Sequence, residues 1–355
     1  MRDLWPAPAF WSQEKPDTIG ALCTAALTPF AQAYGFIAAW RMQQAGFEAP
    51  LPVLCVGNLV VGGAGKTPMA LALAERLIAA GERPWFLSRG YRSAAEIGPP
   101  LLVDAEKHLA RDVGDEALLL ARIAPTLVSA DRVSAAKQAA AAGASILVLD
   151  DGMQNPALQK DWSLCLVDSE AGIGNGRCLP AGPLRAPLDA QLAGVSAVLL
   201  LGEGAQGERL AERAAQFKKP VLRGRLVIAA DKALQLKGAR VYAFAGIGRP
   251  EKFFASLAES GATLVGAVSF ADHHAYRRDE IFRLQHAAKE QGALLVTTEK
   301  DFARLKPAEA FIDPTLPAPL AIPAKIEFSD VALFDDCVKR AITRARAGRL
   351  SALKS

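Results

Sequence analysis

Val53-Leu54-Cys55-Val56-Gly57-Asn58-Leu59-Val60-Val61-Gly62-Gly63-Ala64-Gly65-Lys66-Thr67-Pro68 is the stretch whose reading decides the fold. Its first four residues are an apolar run of strand type. A glycine-rich loop follows, closed by Gly65-Lys66-Thr67, and then an alanine- and leucine-rich helical pattern that stops at Gly81. Strand, glycine loop ending in Gly-Lys-Thr, and helix are the parts of a phosphate-binding P-loop. Glycines let backbone N–H groups approach phosphate oxygens with no Cβ in the way. The helix N-terminus adds unpaired N–H groups and the positive end of a dipole. On this reading Gly62, Gly63, Ala64, Gly65, Lys66 and Thr67 bind a nucleotide. Lys66 reaches the β- and γ-phosphates, and the Thr67 hydroxyl holds Mg²⁺. Pro68 suits a first helical turn, where a missing N–H costs little. The general pattern has glycine at position 60, where this chain has Val60. A glycine turn beside a surface lysine is the plainer alternative; the strand before and the helix after weigh against it.

Downstream, residues 84–88 form a second strand running into Ser88-Arg89-Gly90-Tyr91-Arg92. Two arginines beside a glycine at a strand end either meet phosphate or are solvated loop charges. Asp112-Val113-Gly114-Asp115-Glu116 precedes a helical stretch over 117–123, and acids in a first helical turn are ordinary capping chemistry. A strand at 125–128 and a helix at 134–142 lead to the apolar strand 145–149, which ends in Asp150-Asp151-Gly152-Met153-Gln154. An acid at such a strand end resembles a Walker-B element, so Asp150 and Asp151 are candidates to support Mg²⁺ beside the P-loop. A strand over 162–167 is followed by a Gly/Pro-rich loop over 172–187 and a strand over 197–201. So long a loop in a compact domain is usually functional. Alternating strands and helices predict an α/β class, a P-loop NTPase-like domain with a parallel sheet.

A second, smaller α/β domain follows. An extended segment over 223–228 crosses into it, with strands at 241–244, 263–270 and 294–297 and helices at 250–259 and 279–291. Gly246-Ile247-Gly248 is too short a match for a dinucleotide fingerprint. Phe270-Ala271-Asp272-His273-His274-Ala275-Tyr276 carries a histidine pair in a strand-end loop; it is either solvent-exposed or a catalytic base or orienting group. Residues 325–328 pair with 223–228 as a two-stranded bridge, and 331–350 is a terminal basic helix. The expected division is an N-terminal segment over 1–45, the P-loop domain over 46–222, the smaller domain with its linker over 223–330, and a C-terminal helix over 331–355.

Composition narrows the function. A chain of 355 residues suggests two domains. The formal net charge of +4 is evenly spread, without a lysine-rich arm or an aromatic-basic stripe, so nucleic acid is not the natural partner. The five cysteines have no metal-type spacing and read as thiols in a reducing compartment. Residues 18–40 carry no charge and are flanked by Trp5, Trp11 and Trp40, a residue type that favours the membrane interface. Pro29, Gln32 and many alanines keep the segment weakly hydrophobic, and it lacks the basic start of a signal peptide. A membrane-surface or shallow anchor ranks first, a helix packed on the main domain second, and a full span third.

These pieces together resemble the tetraacyldisaccharide 4′-kinase family of lipid A biosynthesis. The resemblance covers most of the chain. It rests on Gly57-Asn58 with Gly62-Gly63-Ala64-Gly65-Lys66-Thr67-Pro68, on Ser88-Arg89-Gly90-Tyr91, and on Val113-Gly114-Asp115-Glu116. It continues through Asp150-Asp151-Gly152-Met153-Gln154, Leu179-Pro180-Ala181-Gly182-Pro183-Leu184-Arg185, Phe270-Ala271-Asp272-His273 and Thr297-Thr298-Glu299-Lys300-Asp301. The family's P-loop also lacks the early glycine. The resemblance implies a kinase at the cytoplasmic face of the bacterial inner membrane that uses ATP and Mg²⁺. It implies transfer of the γ-phosphate to the 4′-hydroxyl of lipid A disaccharide 1-phosphate; no obligate protein partner is evident in the sequence. It further implies Asp115 as catalytic base, assisted by His273 from the second domain, and substrate contacts from Arg89, Tyr91, Gln154 and Arg185. The chain departs from the family at Asn155, where histidine is usual, and at Ala186, where glutamate is usual. The competing class is a P-loop ATPase or GTPase that switches partners; a non-catalytic membrane scaffold would leave Lys66 without a purpose.

Overall fold

Every residue of Val53–Asn58 is buried, as expected of a parallel strand covered on both faces. The computed structural model describes residues 8–12, 17–63, 65–91, 93–305 and 312–352; Trp5, Ala64 and Arg92 lie outside the described residues. In chain order the strands are β1 (Val53–Asn58), β2 (Pro84–Ser88), β3 (Leu101–Leu102), β4 (Thr126–Val128), β5 (Ile146–Asp150), β6 (Trp162–Asp168), β7 (Ala197–Leu201), β8 (Val221–Ile228), β9 (Arg240–Ala245), β10 (Thr263–Ser269), β11 (Leu294–Thr298), β12 (Leu320–Ile322) and β13 (Ala324–Phe328).

The contacts divide the chain into two units. The first holds the residues up to Ser88, Asp131–Arg225 and those from Glu327 onward; the second holds Arg89–Ala130 and Leu226–Ile326. In the first unit the strand order is β13-β8-β7-β6-β1-β5-β2. β1 lies parallel between β5 and β6, with Val56 opposite Asp150 and Asn58 opposite Leu166. That register sets the Asp150-Asp151 turn beside the loop leaving β1, at the carboxyl ends where α/β sheets bind ligands. The helix Lys66–Ala79 buries Met69, Ala70, Leu73, Ala74 and Leu77, the apolar stripe of its Ala/Leu pattern. Gly57 is a close-approach position: a Cβ there would lie 2.7 Å from the Met153 Cβ.

Two further helices belong to this unit. Val331–Ala352 is docked by its charges, through Arg76–Asp335, Arg346–Glu82 and a bidentate Arg349–Asp161 pair. Thr18–Met42 is capped by Asp17, whose side chain accepts from the Gly20 N–H at 2.7 Å. It buries Gly20, Thr24, Ala31 and Gly35 and exposes Ile19, Leu22, Phe30, Phe36, Ile37 and Trp40. Length and composition suffice for it to cross a membrane.

The second unit has a sheet in the order β10-β9-β11-β12, with β9 parallel to β10 and β11 and β11 parallel to β12, and an antiparallel β3–β4 pair. Residues 89–130 differ from the sequence-based division, which put them with the P-loop. The cause is packing: Ala303 of the helix Glu299–Leu305 shares one apolar cluster with Val113, Ala117, Leu118 and Leu119.

Candidate functional site

In the first unit the P-loop draws together a set of charged and amide side chains. Gly65 takes φ +74° as the residue capping the helix Lys66–Ala79, a left-handed turn that glycine adopts without a Cβ penalty. Lys66 is buried, and its Nζ donates to the Gly62 carbonyl at 3.1 Å and to Asn58 Oδ1 at 3.4 Å. Asp151 Oδ2 lies 3.6 Å from that Nζ. Asp151 is in turn gripped by Arg185, whose Nη1 and Nη2 donate to its two oxygens at 2.7 and 3.0 Å. Burial alone would raise the Asp151 pKa; the charges of Lys66 and Arg185 outweigh it and hold the carboxyl below its usual range. Asp151 takes φ +55°, uncommon outside glycine though tolerated by aspartate.

Arg185 comes from the Gly/Pro-rich loop, which is laid against the P-loop by Val61 N–H to the Pro183 carbonyl and Arg185 N–H to the Leu59 carbonyl, each 2.9 Å. Gln154 donates to the Asn58 carbonyl at 2.8 Å and to Gln191 Oε1 at 2.7 Å. Gln191 is fully buried and donates to the Leu59 and Ala186 carbonyls. Asn58 and Gln191 thus brace the loop, a role that nothing in their local sequence signals.

Thr67 supplies the test for a metal. It is 2% exposed, and its Oγ1 has no hydrogen-bond partner among the described residues. An orphaned buried hydroxyl is destabilising by about 1–3 kcal/mol. Its place in the first helical turn, with buried Asp150 at the end of β5, fits a site for Mg²⁺. Among the described residues no group of three or more His, Cys, Asp and Glu side chains could hold a metal by itself. Mg²⁺ takes few protein ligands and completes its shell with water and phosphate.

The second unit holds the other cluster. Asp115 opens the helix Asp115–Ala121 and is 6% exposed. Its Oδ2 lies 3.2 Å from His273 Nδ1 and 3.5 Å from Arg304 Nε, and its Oδ1 accepts from the Glu116 N–H at 3.0 Å. Asp115 and His273 therefore belong to one unit and meet without any rearrangement, whereas the sequence reading set them in different domains. Burial pushes the Asp115 pKa up, but the His273 hydrogen bond and the charges of Lys300 and Arg304 carry it far below the usual carboxylate range. The same hydrogen bond raises His273 above the ordinary imidazole value. An ionised Asp115 makes Nδ1 the protonated ring nitrogen, so Nε2 faces away, 3.9 Å from Asp272 Oδ1. His273 takes φ +61°. Tyr91 meets its ring edge-on, with centroids 6.0 Å apart.

The two histidines of the loop part company. His274 is bound to Glu280 at 2.9 Å and stacked on Phe270, a structural use. Arg89 and Tyr91 lie in the second unit and Gln154 and Arg185 in the first. Sequence reasoning missed Arg304, although Asp301 three residues earlier on one helix face was a signal.

The tetraacyldisaccharide-1-P 4′-kinase family model matches residues 23–343. The chain is 52% identical over 342 residues to the tetraacyldisaccharide 4′-kinase of Methylobacterium sp. (strain 4-46), a match spanning 96% of this chain and 99% of that one. It is 47% identical to the protein of that name from Rhodopseudomonas palustris (strain BisB5), over 90% of this chain and 92% of the relative. The crystal structure of LpxK from Aquifex aeolicus in complex with ATP superposes with a TM-score of 0.68 at 25% identity, over 90% of this chain and 99% of that one. With a P-loop at the end of β1 and a match over nearly its full length, the chain belongs to the tetraacyldisaccharide 4′-kinase family.

Proposed function

We propose that this protein transfers the γ-phosphate of ATP to the 4′-hydroxyl of a lipid A disaccharide 1-phosphate, at the cytoplasmic face of the inner membrane. The observation that carries the reading is the pairing, just after β1, of buried Lys66 with the Thr67 hydroxyl, which has no hydrogen-bond partner among the described residues. Backbone N–H groups of Gly62, Gly63 and Gly65 receive phosphate oxygens. Lys66 exchanges the Gly62 carbonyl for the β- and γ-phosphates. Thr67, Asp150 and Asp151 are the residues that would hold Mg²⁺, which neutralises charge on those phosphates when bound. Arg185 keeps Asp151 ionised and aimed. Arg89 and Tyr91 line the acceptor, and Gln154 orients the end of β1.

A sugar hydroxyl is a poor nucleophile at neutral pH and needs a base within reach. Asp115 and His273 serve as one base. The carboxylate fixes the imidazole through Nδ1–H, and the proton taken from the hydroxyl comes to rest on the imidazole. The raised histidine and depressed carboxyl favour that location. The exposed apolar side chains of Thr18–Met42 seat the protein on the bilayer that holds its acylated substrate.

The test is incubation of purified protein with γ-labelled ATP and lipid A disaccharide 1-phosphate in mixed micelles. Label on the 4′ position is the expected result. ATP hydrolysis without transfer to the lipid would replace this reading with a P-loop switch ATPase.

A further inference from the structure

We propose that Arg304 is a positioning residue for the Asp115–His273 pair, held to that task by the buried carboxylate of Asp301. The proposal rests on the reading of that pair as the base. Arg304 lies on the helix Glu299–Leu305, and its guanidinium is almost wholly buried. Nη1 and Nη2 both donate to the Gly246 carbonyl at 3.0 Å, and Nη1 reaches the His274 carbonyl at 3.5 Å. The Gly246 carbonyl also accepts the His273 N–H at 3.1 Å. One guanidinium therefore clasps the turn that holds His273 in its left-handed conformation, while its Nε, whose N–H donates to the Lys300 carbonyl at 3.2 Å, stands as a charge 3.5 Å from Asp115 Oδ2, the oxygen that His273 addresses.

Asp301 is fully buried and saturated. Its Oδ1 receives the Gly246 N–H at 2.9 Å, the Tyr276 hydroxyl at 2.6 Å and Arg304 Nη2 at 3.0 Å, and its Oδ2 receives the Thr298 hydroxyl at 2.6 Å. Arg304 thus has its own counter-ion, and Asp115 is not needed to neutralise it. A planar fork can engage the Gly246 and Lys300 carbonyls and Asp301 at once while its charge stays beside Asp115; a lysine ammonium cannot.

The charged groups around Asp115 come from three places. Its own segment gives Glu116, paired with Lys300, and Asp112, tied to the Leu109 N–H. The helix Glu299–Leu305 gives Lys300, Asp301 and Arg304. The loop after β10 gives His273 and Asp272. Loss of the Arg304 charge raises the pKa of carboxyl and imidazole alike, and loss of the Asp301 charge lowers both. The acidic limb of kcat/KM reports the free enzyme's base, so it moves in the same direction whichever group holds the proton.

The experiment measures pH profiles of phosphate transfer for Arg304→Gln, Arg304→Lys, Asp301→Asn and Asp115→Ala, with ATP binding and melting temperature for each. Arg304→Gln should lower kcat about tenfold, leave KM for ATP within about twofold, and move the acidic limb up by about one unit. Arg304→Lys should lose rate while keeping the limb near its original place. Asp301→Asn should move the limb down; asparagine there keeps one oxygen for the three donors and offers its NH₂ to Thr298 Oγ1. Opposite shifts from neighbouring substitutions are not the mark of a merely structural pair. Shifts of one sign, or an unmoved limb in a folded, ATP-binding Arg304→Gln protein, would overturn the proposal. If Arg304→Gln does not fold, Asp301→Asn decides alone: a downward shift supports the proposal and no shift overturns it. Undiminished transfer by Asp115→Ala would overturn the reading of the base itself, whereas its loss beside an unmoved Arg304→Gln limb would overturn only the role of Arg304.

Discussion

Arg185 grips Asp151 with both terminal nitrogens, and Asp151 in turn stands 3.6 Å from the Lys66 ammonium. Two cations thus flank Asp151 at the P-loop, and cations there suit a polyphosphate. Lysine is the member aimed at the loop's own carbonyl, so it is the one free to turn to a ligand. Lys66→Ala should reduce transfer by on the order of 10²–10³-fold, the usual loss for one cation at a developing charge. Transfer by that variant at the wild-type rate would remove the P-loop assignment.

Arg185→Lys keeps the charge but not the fork. A lysine cannot hold both oxygens of Asp151, so the carboxylate swings and the Mg²⁺ requirement should rise. The expected outcome is a higher half-saturating Mg²⁺ concentration, measured at fixed ATP, with the melting temperature little changed. An unaltered Mg²⁺ titration would mean that Asp151 needs no clamp.

The helix Thr18–Met42 packs through small residues and shows its large ones to the outside. Replacing Phe36, Ile37 and Trp40 together by serine should move the protein from the membrane to the soluble fraction on lysis. Binding of ATP should not change, because the buried Gly20, Thr24, Ala31 and Gly35 face is untouched. Full retention in the membrane fraction would place the anchor elsewhere.

Asp115 raises the His273 pKa, and this has a sign in stability. A raised folded-state pKa contributes stability that is fully present below the unfolded value of roughly 6.5 and is lost as pH climbs through the folded value. Asp115→Asn should therefore lower the melting temperature more at pH 6 than at pH 9, and imidazole NMR should show His273 titrating at lower pH in the variant. Equal losses at both pH values would mean that the imidazolium charge plays no part.

Much of this was legible in the chain. β1, the P-loop and the helix after it follow from local chemistry: glycines, an apolar run and a 3.6-residue period. The strand ends carrying Asp150 and His273 were equally plain. The helix Glu299–Leu305 was not, because it starts directly after β11 with no turn residue to announce it. The place of residues 89–130 was not legible either, since it depends on Ala303 meeting Val113 and Ala117 across almost two hundred residues of chain. The same packing brings Arg304 to Asp115, and no spacing rule encodes that. His273 and His274 are alike as letters; only the stacking on Phe270 and the bond to Glu280 separate the second from the site.

The last prediction concerns Asp115 and His273 as a unit. Their contact at 3.2 Å lies within one compact unit, so it is part of the resting structure. If the carboxylate works by holding the imidazole, each loses its purpose without the other, and groups that act as one give non-additive losses. Asp115→Ala leaves His273 without its orienting acceptor; His273→Ala leaves a carboxylate whose pKa, already depressed by Lys300 and Arg304, makes it a weak base. Each single variant should lose about 10²-fold or more in kcat, and the double variant should fall little further than the worse of the two. ATP affinity should be unchanged in all three, since neither residue lies in the P-loop unit. The measurement is kcat at saturating ATP and lipid for the four proteins. Losses that multiply would mean two independent contributions, and the single base formed by Asp115 and His273 would have to be given up.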